Sequence, residues 1–127
     1  MVEFAITLSL AMILLFVTVQ FALIGNAALA VTELAYAGAR YASVNNTLDS
    51  TAIATYMKSI ASPTINENNG SDLSISLTPQ AAPRTFGTPL TVTISYNLQN
   101  KLFLPNPFLG IQFPTTLQNI QTTMMSE

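Results

Sequence analysis

The chain has 127 residues, of which 50% are hydrophobic and only 8% are charged, whereas ordinary soluble domains carry about 25% charged residues. A chain of this length holds one small domain, or a long helix with a small headpiece, and its scarcity of charge argues against a monomer in water. The formal net charge of −2 provides no basic surface for a phosphate backbone, so nucleic acid is not an expected partner.

The sequence contains no Cys and no His. This removes cysteine nucleophiles, disulfides, thiolate and imidazole metal ligands, and imidazole acid–base catalysis. Paired carboxylates, a Gly-rich phosphate loop and a nucleophile beside a base are also missing from the pattern. We therefore predict no catalytic residue, no metal site and no cofactor, and a protein that is not an enzyme.

The N-terminal segment from Phe4 to Val31 carries no charge and exceeds the roughly 20 residues that cross a bilayer as a helix. It predicts a transmembrane helix. A secretory signal peptide would have a shorter apolar region behind a positively charged start, whereas this segment follows Glu3. Because a signal anchor normally has Lys or Arg at its cytoplasmic end and none precedes Phe4, we expect that a basic leader has been removed.

The helix is predicted to continue to about Val44, because the following residues are rich in Ala and contain no Pro. A helix from Glu3 to Val44 would be roughly 60 Å long, about twice the thickness of the bilayer core. Half of it must therefore project from the membrane. Gly38 lies in a run of small residues that favours a close-packing surface over a helix end.

A second, shorter helix is predicted after a break at residues 45–47. Asp49 or Ser50 can cap its start and Pro63 ends it. Its apolar face comprises Ile53, Tyr56, Met57 and Ile60.

Three strands are predicted from apolar residues that alternate with polar ones. Residues 73–77 and 90–98 alternate regularly, and residues 115–125 have strand-like composition. Leu117 and Ile120 are out of phase, so they can share one face only through a β-bulge.

The segment 101–114 combines three prolines with large apolar side chains, so it cannot form a regular element and should be covered. The cover is either the protein's own headpiece or another subunit. The side chains in question are Phe103, Phe108, Ile111 and Phe113.

Together these elements predict an α+β fold, in which a long N-terminal hydrophobic helix carries a small headpiece of a short helix and about three antiparallel strands. We divide the chain into a transmembrane or filament-core helix, residues 1–45, and an α+β headpiece, residues 46–127.

Two sequence blocks carry a family resemblance. Val2, Glu3, Phe4 and Ala5 match a V-E-F-A start, and the later match consists of Ala35, Gly38, Ala39, Arg40 and Ala42. The chain resembles TadE-like pilins and pseudopilins over about its first third, except that Tyr36 stands where the family's second block has its first Arg.

The resemblance implies a type IV pilin-like fold and a mature pilin of a type IV or Tad-like pilus. Such a subunit is cut by a prepilin peptidase, sits in the membrane before assembly, and is extracted by the pilus assembly machinery into a helical homopolymer. The filament would lie at the cell surface and serve adhesion or surface attachment. A minor pseudopilin that starts or caps the filament, and a single-pass membrane protein with a partner-binding surface domain, remain alternatives.

Several residues follow as candidates for assembly. Glu3 is expected to pair with the α-amino group of Met1, in its own or a neighbouring subunit, and so to select an axial register. The alternative is an interfacial carboxylate in the first helical turn, favoured only by the helix dipole. Glu33 and Arg40 form a candidate intersubunit ion pair, against the alternative of two solvated charges. The side chains expected to pack in a filament core are Phe4, Leu8, Leu15, Phe21, Gly25, Gly38 and Arg40.

Asn45 and Asn69 satisfy the N-x-[ST] pattern for N-glycosylation in predicted loops. The pattern is weak in a sequence this rich in Asn, Ser and Thr, so chance occurrence is the default interpretation.

Overall fold

A computed structural model describes residues 1–61, 72–80, 82–98 and 110–126. The elements in chain order are α1 (Val2–Val44), α2 (Ser50–Ala61), β1 (Leu73–Thr78), β2 (Pro89–Asn97) and β3 (Thr116–Met125). The predicted α+β class, a long N-terminal helix followed by a short helix and an antiparallel sheet, is confirmed.

Helix α1 is continuous over 43 residues, which corresponds to a length of about 65 Å. Its interior contains no proline, and Gly38 does not interrupt it. The helix ends at Asn45, whose backbone N–H and side-chain amide both donate to the Tyr41 carbonyl, at 3.0 and 2.9 Å. The last turn is thus closed by its own cap residue.

The described strands form an antiparallel sheet in the order β1-β2-β3. Ile94 of β2 pairs with Ile120 of β3, and Tyr96 pairs with Leu117. Between these pairs β3 has two residues where β2 has only Ser95. This is a β-bulge, and it places Leu117 and Ile120 on one face as predicted.

One core lies between the sheet and the two helices. The upper part of α1, residues 20–44, contributes to it and is called the packed half; residues 2–19 are called the exposed half. Small side chains in the packed half let the helix approach the sheet closely. The fully buried core residues include Val31, Ala35, Ala39, Ala42, Met57, Leu90, Val92 and Ile94.

Helix α2 begins where predicted, because the Asp49 carboxylate accepts a hydrogen bond of 2.9 Å from the Ala52 backbone N–H. Ile53 and Met57 on its predicted apolar face are fully buried. Ile60 on that face is exposed, so the buried stripe is narrower than predicted. Pro63, which was predicted to end this helix, lies outside the described residues.

The two helices meet most closely at Gly38. It is buried in α1, and a methyl group added to it would overlap the thioether of Met57 in α2. The close approach therefore depends on the missing side chain at this position.

A buried arginine ties the loop before β2 to the connection between the helices. The Arg84 guanidinium donates to the carbonyls of Leu48 at 2.9 Å and Pro79 at 3.3 Å, and its backbone N–H donates to the Asn46 carbonyl at 3.0 Å. Burial lowers the pKa of Arg84, while the nearby Asp49 carboxylate acts in the opposite direction.

Replacing Gly38→Ala tests the contact between the helices. Overpacking costs about 1–3 kcal/mol and the gain in helix propensity offsets about 1, so we expect the free energy of unfolding to fall by about 1 kcal/mol. Urea unfolding in detergent micelles, followed by tyrosine fluorescence, measures the change. Gly25→Ala is the matched control, since a methyl group there meets open space and should cause no loss. Equal stability of the two variants would contradict the packing described.

Replacing Arg84→Leu removes two hydrogen bonds and leaves the carbonyls of Leu48 and Pro79 unpaired inside the protein. We expect a loss of about 1–3 kcal/mol in the free energy of unfolding, measured in the same way. Arg40→Leu removes an exposed arginine instead and should change stability by less than about 0.5 kcal/mol. A similar effect of both substitutions would show that Arg84 does not hold the loop.

Candidate assembly surface on the long helix

The exposed half of α1 presents apolar side chains to its surroundings. An 18-residue window of the helix has a mean hydropathy of 2.3, and none of that window is buried by the rest of the chain. By length and composition the helix can cross a membrane. Its exposed large side chains include Phe4, Ile6, Leu8, Leu10, Met12, Leu14, Leu15, Phe16 and Val19.

The hydroxyl groups in this part of α1 are satisfied within the helix. Thr7, Ser9 and Thr18 each donate to the backbone carbonyl four residues earlier, at 2.8–2.9 Å. This arrangement lets the hydroxyls lie in an apolar environment without a further partner.

The charged tip of the helix is its N-terminus. Met1 and Glu3 are both exposed, and Glu3 is the acidic residue of the first turn, where the helix dipole favours a negative charge. The Met1 carbonyl accepts a hydrogen bond of 3.2 Å from the Ala5 N–H. A pair between the α-amino group and Glu3 remains a prediction.

The predicted filament-core residues fall into two groups. Phe4, Leu8, Leu15 and Phe21 are between 46% and 70% exposed, so a neighbouring helix can reach them. Gly25 and Arg40 are exposed as well. Gly38 differs, because its close contact is with Met57 of its own chain.

The headpiece reaches α1 near the boundary between its two halves. The rings of Phe21 and Phe113 have centroids 5.2 Å apart and planes inclined by 57°. Phe113 is buried, so its own chain covers it. Ile111 remains 38% exposed, and Phe103 and Phe108 lie outside the described residues.

The upper end of α1 carries two hollows beside Arg40, of about 290 and 330 Å³. One is bounded by Tyr36 and Met124, the other by Tyr41 and Tyr56, whose rings stack with centroids 3.8 Å apart. This surface has no signal in the sequence, because the hollows arise from side chains of α1, α2 and β3 that meet only in the fold.

Glu33 and Arg40 both lie exposed on α1, seven residues apart along the helix. This separation is about 10 Å along the axis, too long for a direct contact within one straight helix. Their predicted pairing therefore requires a second subunit.

The two candidate glycosylation residues have different positions. Asn45 is half-buried and its amide donates to the Tyr41 carbonyl, so its nitrogen serves as part of the helix cap. Asn69 lies outside the described residues. Among the residues that the structure describes, no group of three or more acidic residues is placed to hold a metal ion.

Residues 1–40 match the model of the family described as TadE-like protein. No curated protein and no solved structure matches the chain. The matched residues comprise the exposed half of α1 and most of its packed half. The resemblance seen in the two sequence blocks is thus confirmed by the family match, and residues 1–40 of the chain are similar to those of TadE-like proteins.

Proposed function

We propose that the protein is a structural pilin, a mature subunit of a Tad or type IV-like pilus that polymerises through α1. The observation that carries the proposal is the exposed half of α1, which is apolar, uncovered by its own chain and part of the TadE-like match. The filament would lie at the cell surface and serve adhesion or surface attachment.

A helix with exposed apolar side chains is stable in lipid or in a bundle of similar helices. The exposed half of α1 is about 27 Å long, close to the roughly 30 Å of the bilayer core. The subunit is therefore stored in the membrane first. During assembly, contacts with lipid are replaced by contacts with other copies, including those of Phe4, Leu8, Leu15 and Phe21.

The proposed partners follow from this transfer of the subunit from the membrane to the filament. A prepilin peptidase removes the leader, the pilus assembly machinery extracts the subunit, and further copies of the same chain complete the filament. The assembly is heterologous and does not close, because the helix surface of one copy meets a different surface of the next.

Glu3 provides a means of selecting the register. A carboxylate moved into an apolar filament core is costly unless it has a partner of opposite charge. The α-amino group of Met1 in a neighbouring subunit would satisfy it.

A second electrostatic contact involves Glu33 and Arg40. If Glu33 of one copy contacts Arg40 of the next, parallel helices are displaced by about 10 Å along the filament. The surface around Arg40 can receive such a contact, since Tyr36 and Val44 beside it are 53% and 60% exposed.

The abundance of the chain in purified filaments distinguishes the main subunit from a minor one. We expect it to be the predominant protein. Trace amounts would instead identify a pseudopilin that initiates or caps the filament, and retention in the membrane without filaments would favour a single-pass protein with a partner-binding headpiece.

Replacing Glu3→Ala tests the register contact. We expect normal membrane insertion but at least a roughly tenfold loss of filament, because an unpaired buried amine costs more than about 1.4 kcal/mol. Electron microscopy of cell-surface material and fractionation of membranes provide the two measurements. Thr7→Ala is the control one turn away. Filaments at normal yield from the Glu3 variant would exclude the pairing role.

Exchanging the charges of Glu33 and Arg40 tests the second contact. Glu33→Arg and Arg40→Glu alone each place like charges together at every subunit interface, so filament yield should fall several-fold. The double variant restores the attraction and should recover much of the yield. Normal filaments from both single variants, or no recovery in the double variant, would refute this pair.

A further inference from the structure

The segment that leads into β3, residues 110–115, is called the rim segment, and it lies beside α1 at a defined height. Its Phe113 contacts Phe21 with ring centroids 5.2 Å apart. The rise from Val2 to Phe21 is about 28 Å, close to the roughly 30 Å thickness of the hydrocarbon core. The contact is therefore about one bilayer thickness from the start of the helix.

The exposed surface of α1 becomes less apolar just beyond the level of Phe21. Exposed large apolar side chains follow one another closely as far as Leu23. The next exposed residues are Gly25 and the polar Asn26, and beyond them exposed large apolar side chains are widely spaced, the first being Leu29. The first charge beyond Glu3 is Glu33. The outer boundary of the membrane thus falls near residues 21–26, where the headpiece begins to cover the helix.

The exposed residues of the rim segment suit a membrane interface. Ile111 is 38% exposed, and Gln112 and Pro114 are exposed on either side of the buried Phe113. The segment contains no charged residue. Apolar groups beside an uncharged polar group are readily accommodated between lipid headgroups and acyl chains, where charge would be costly on the acyl side.

We propose that the rim segment lies in the outer interfacial layer of the lipid bilayer while the subunit is membrane-inserted, with Ile111 and Pro114 contacting lipid. The inference rests on the membrane stage of the proposed function and adds a lipid contact made by the headpiece. Since Phe113 holds the segment against Phe21, this contact sets how deeply α1 is inserted. The rim segment must leave the lipid when the subunit enters the filament.

The absence of cysteine from the chain allows a direct test by single labels. The full chain is prepared as three variants, Gln112→Cys in the rim segment, Leu10→Cys in the exposed half of α1, and Phe86→Cys as the distant control. Each is labelled with an environment-sensitive fluorophore and inserted into phosphatidylcholine vesicles. Bromine atoms on the lipids, near the headgroup or near the acyl-chain middle, quench fluorophores at their own depth.

The control residue, Phe86, is exposed like Gln112 but lies far from the rim segment. Phe86 is 87% exposed, and its neighbour Arg84 is hydrogen-bonded to Asn46, just beyond the upper end of α1. That point is about 35 Å beyond Phe21 along the helix axis. A label at residue 86 should remain in water.

We expect the label at residue 10 to be quenched mainly by deep bromines and the label at residue 112 mainly by shallow bromines. Quenching at residue 86 should be several-fold weaker than at residue 112. A label at residue 112 that is quenched no more than the one at 86, while residue 10 is quenched, overturns this inference.

Filament formation by the unlabelled chain is scored separately, so an unquenched rim segment with normal filaments leaves the proposed function standing. Absence of quenching at residue 10 would overturn both the membrane stage and the lipid contact.

Discussion

The length of α1 exceeds what its own headpiece can cover, and the rest of the architecture depends on this mismatch. The sheet and α2 cover one side of the packed half, while residues 2–19 are mostly apolar and, apart from the half-buried Ile13 and Val17, exposed. Such a surface is unfavourable in water, and only lipid or other apolar helices remove the cost. The hydroxyls of Thr7, Ser9 and Thr18, bonded to the helix backbone, are compatible with either environment. In the proposed function, membrane storage and filament assembly use this same surface in succession.

The headpiece holds the packed half of α1 by close packing, and a buried arginine secures the connection that follows the helix. Gly38 admits Met57, and small side chains such as Ala35 and Ala39 bring the helix against the sheet. Arg84 fixes the loop before β2 to the connection between the helices. With this end held, the exposed half extends from the headpiece as part of one continuous helix.

Much of the fold was predictable because its signals are local. The length of the uncharged hydrophobic segment predicted α1, and the alternation of apolar with polar residues predicted the strands. The change of phase between Leu117 and Ile120 predicted the bulge. Contacts between distant segments were not predictable. Arg84 has no local signature of burial, and a phenylalanine such as Phe113 does not reveal its partner. Gly38 shows the same limit, since its small size predicts a close contact but not whether that contact lies within the subunit or between subunits.

The proposed function requires the exposed half of α1 to anchor the subunit in the membrane and then to form the core of the filament. Electron cryomicroscopy of filaments purified from the cell surface, with helical reconstruction, tests it most directly. We expect filaments composed of this chain, with α1 helices packed around the axis and Phe4, Leu8 and Leu15 between neighbouring helices. Filaments in which residues 2–19 face solvent, or filaments that do not contain this chain, would contradict it.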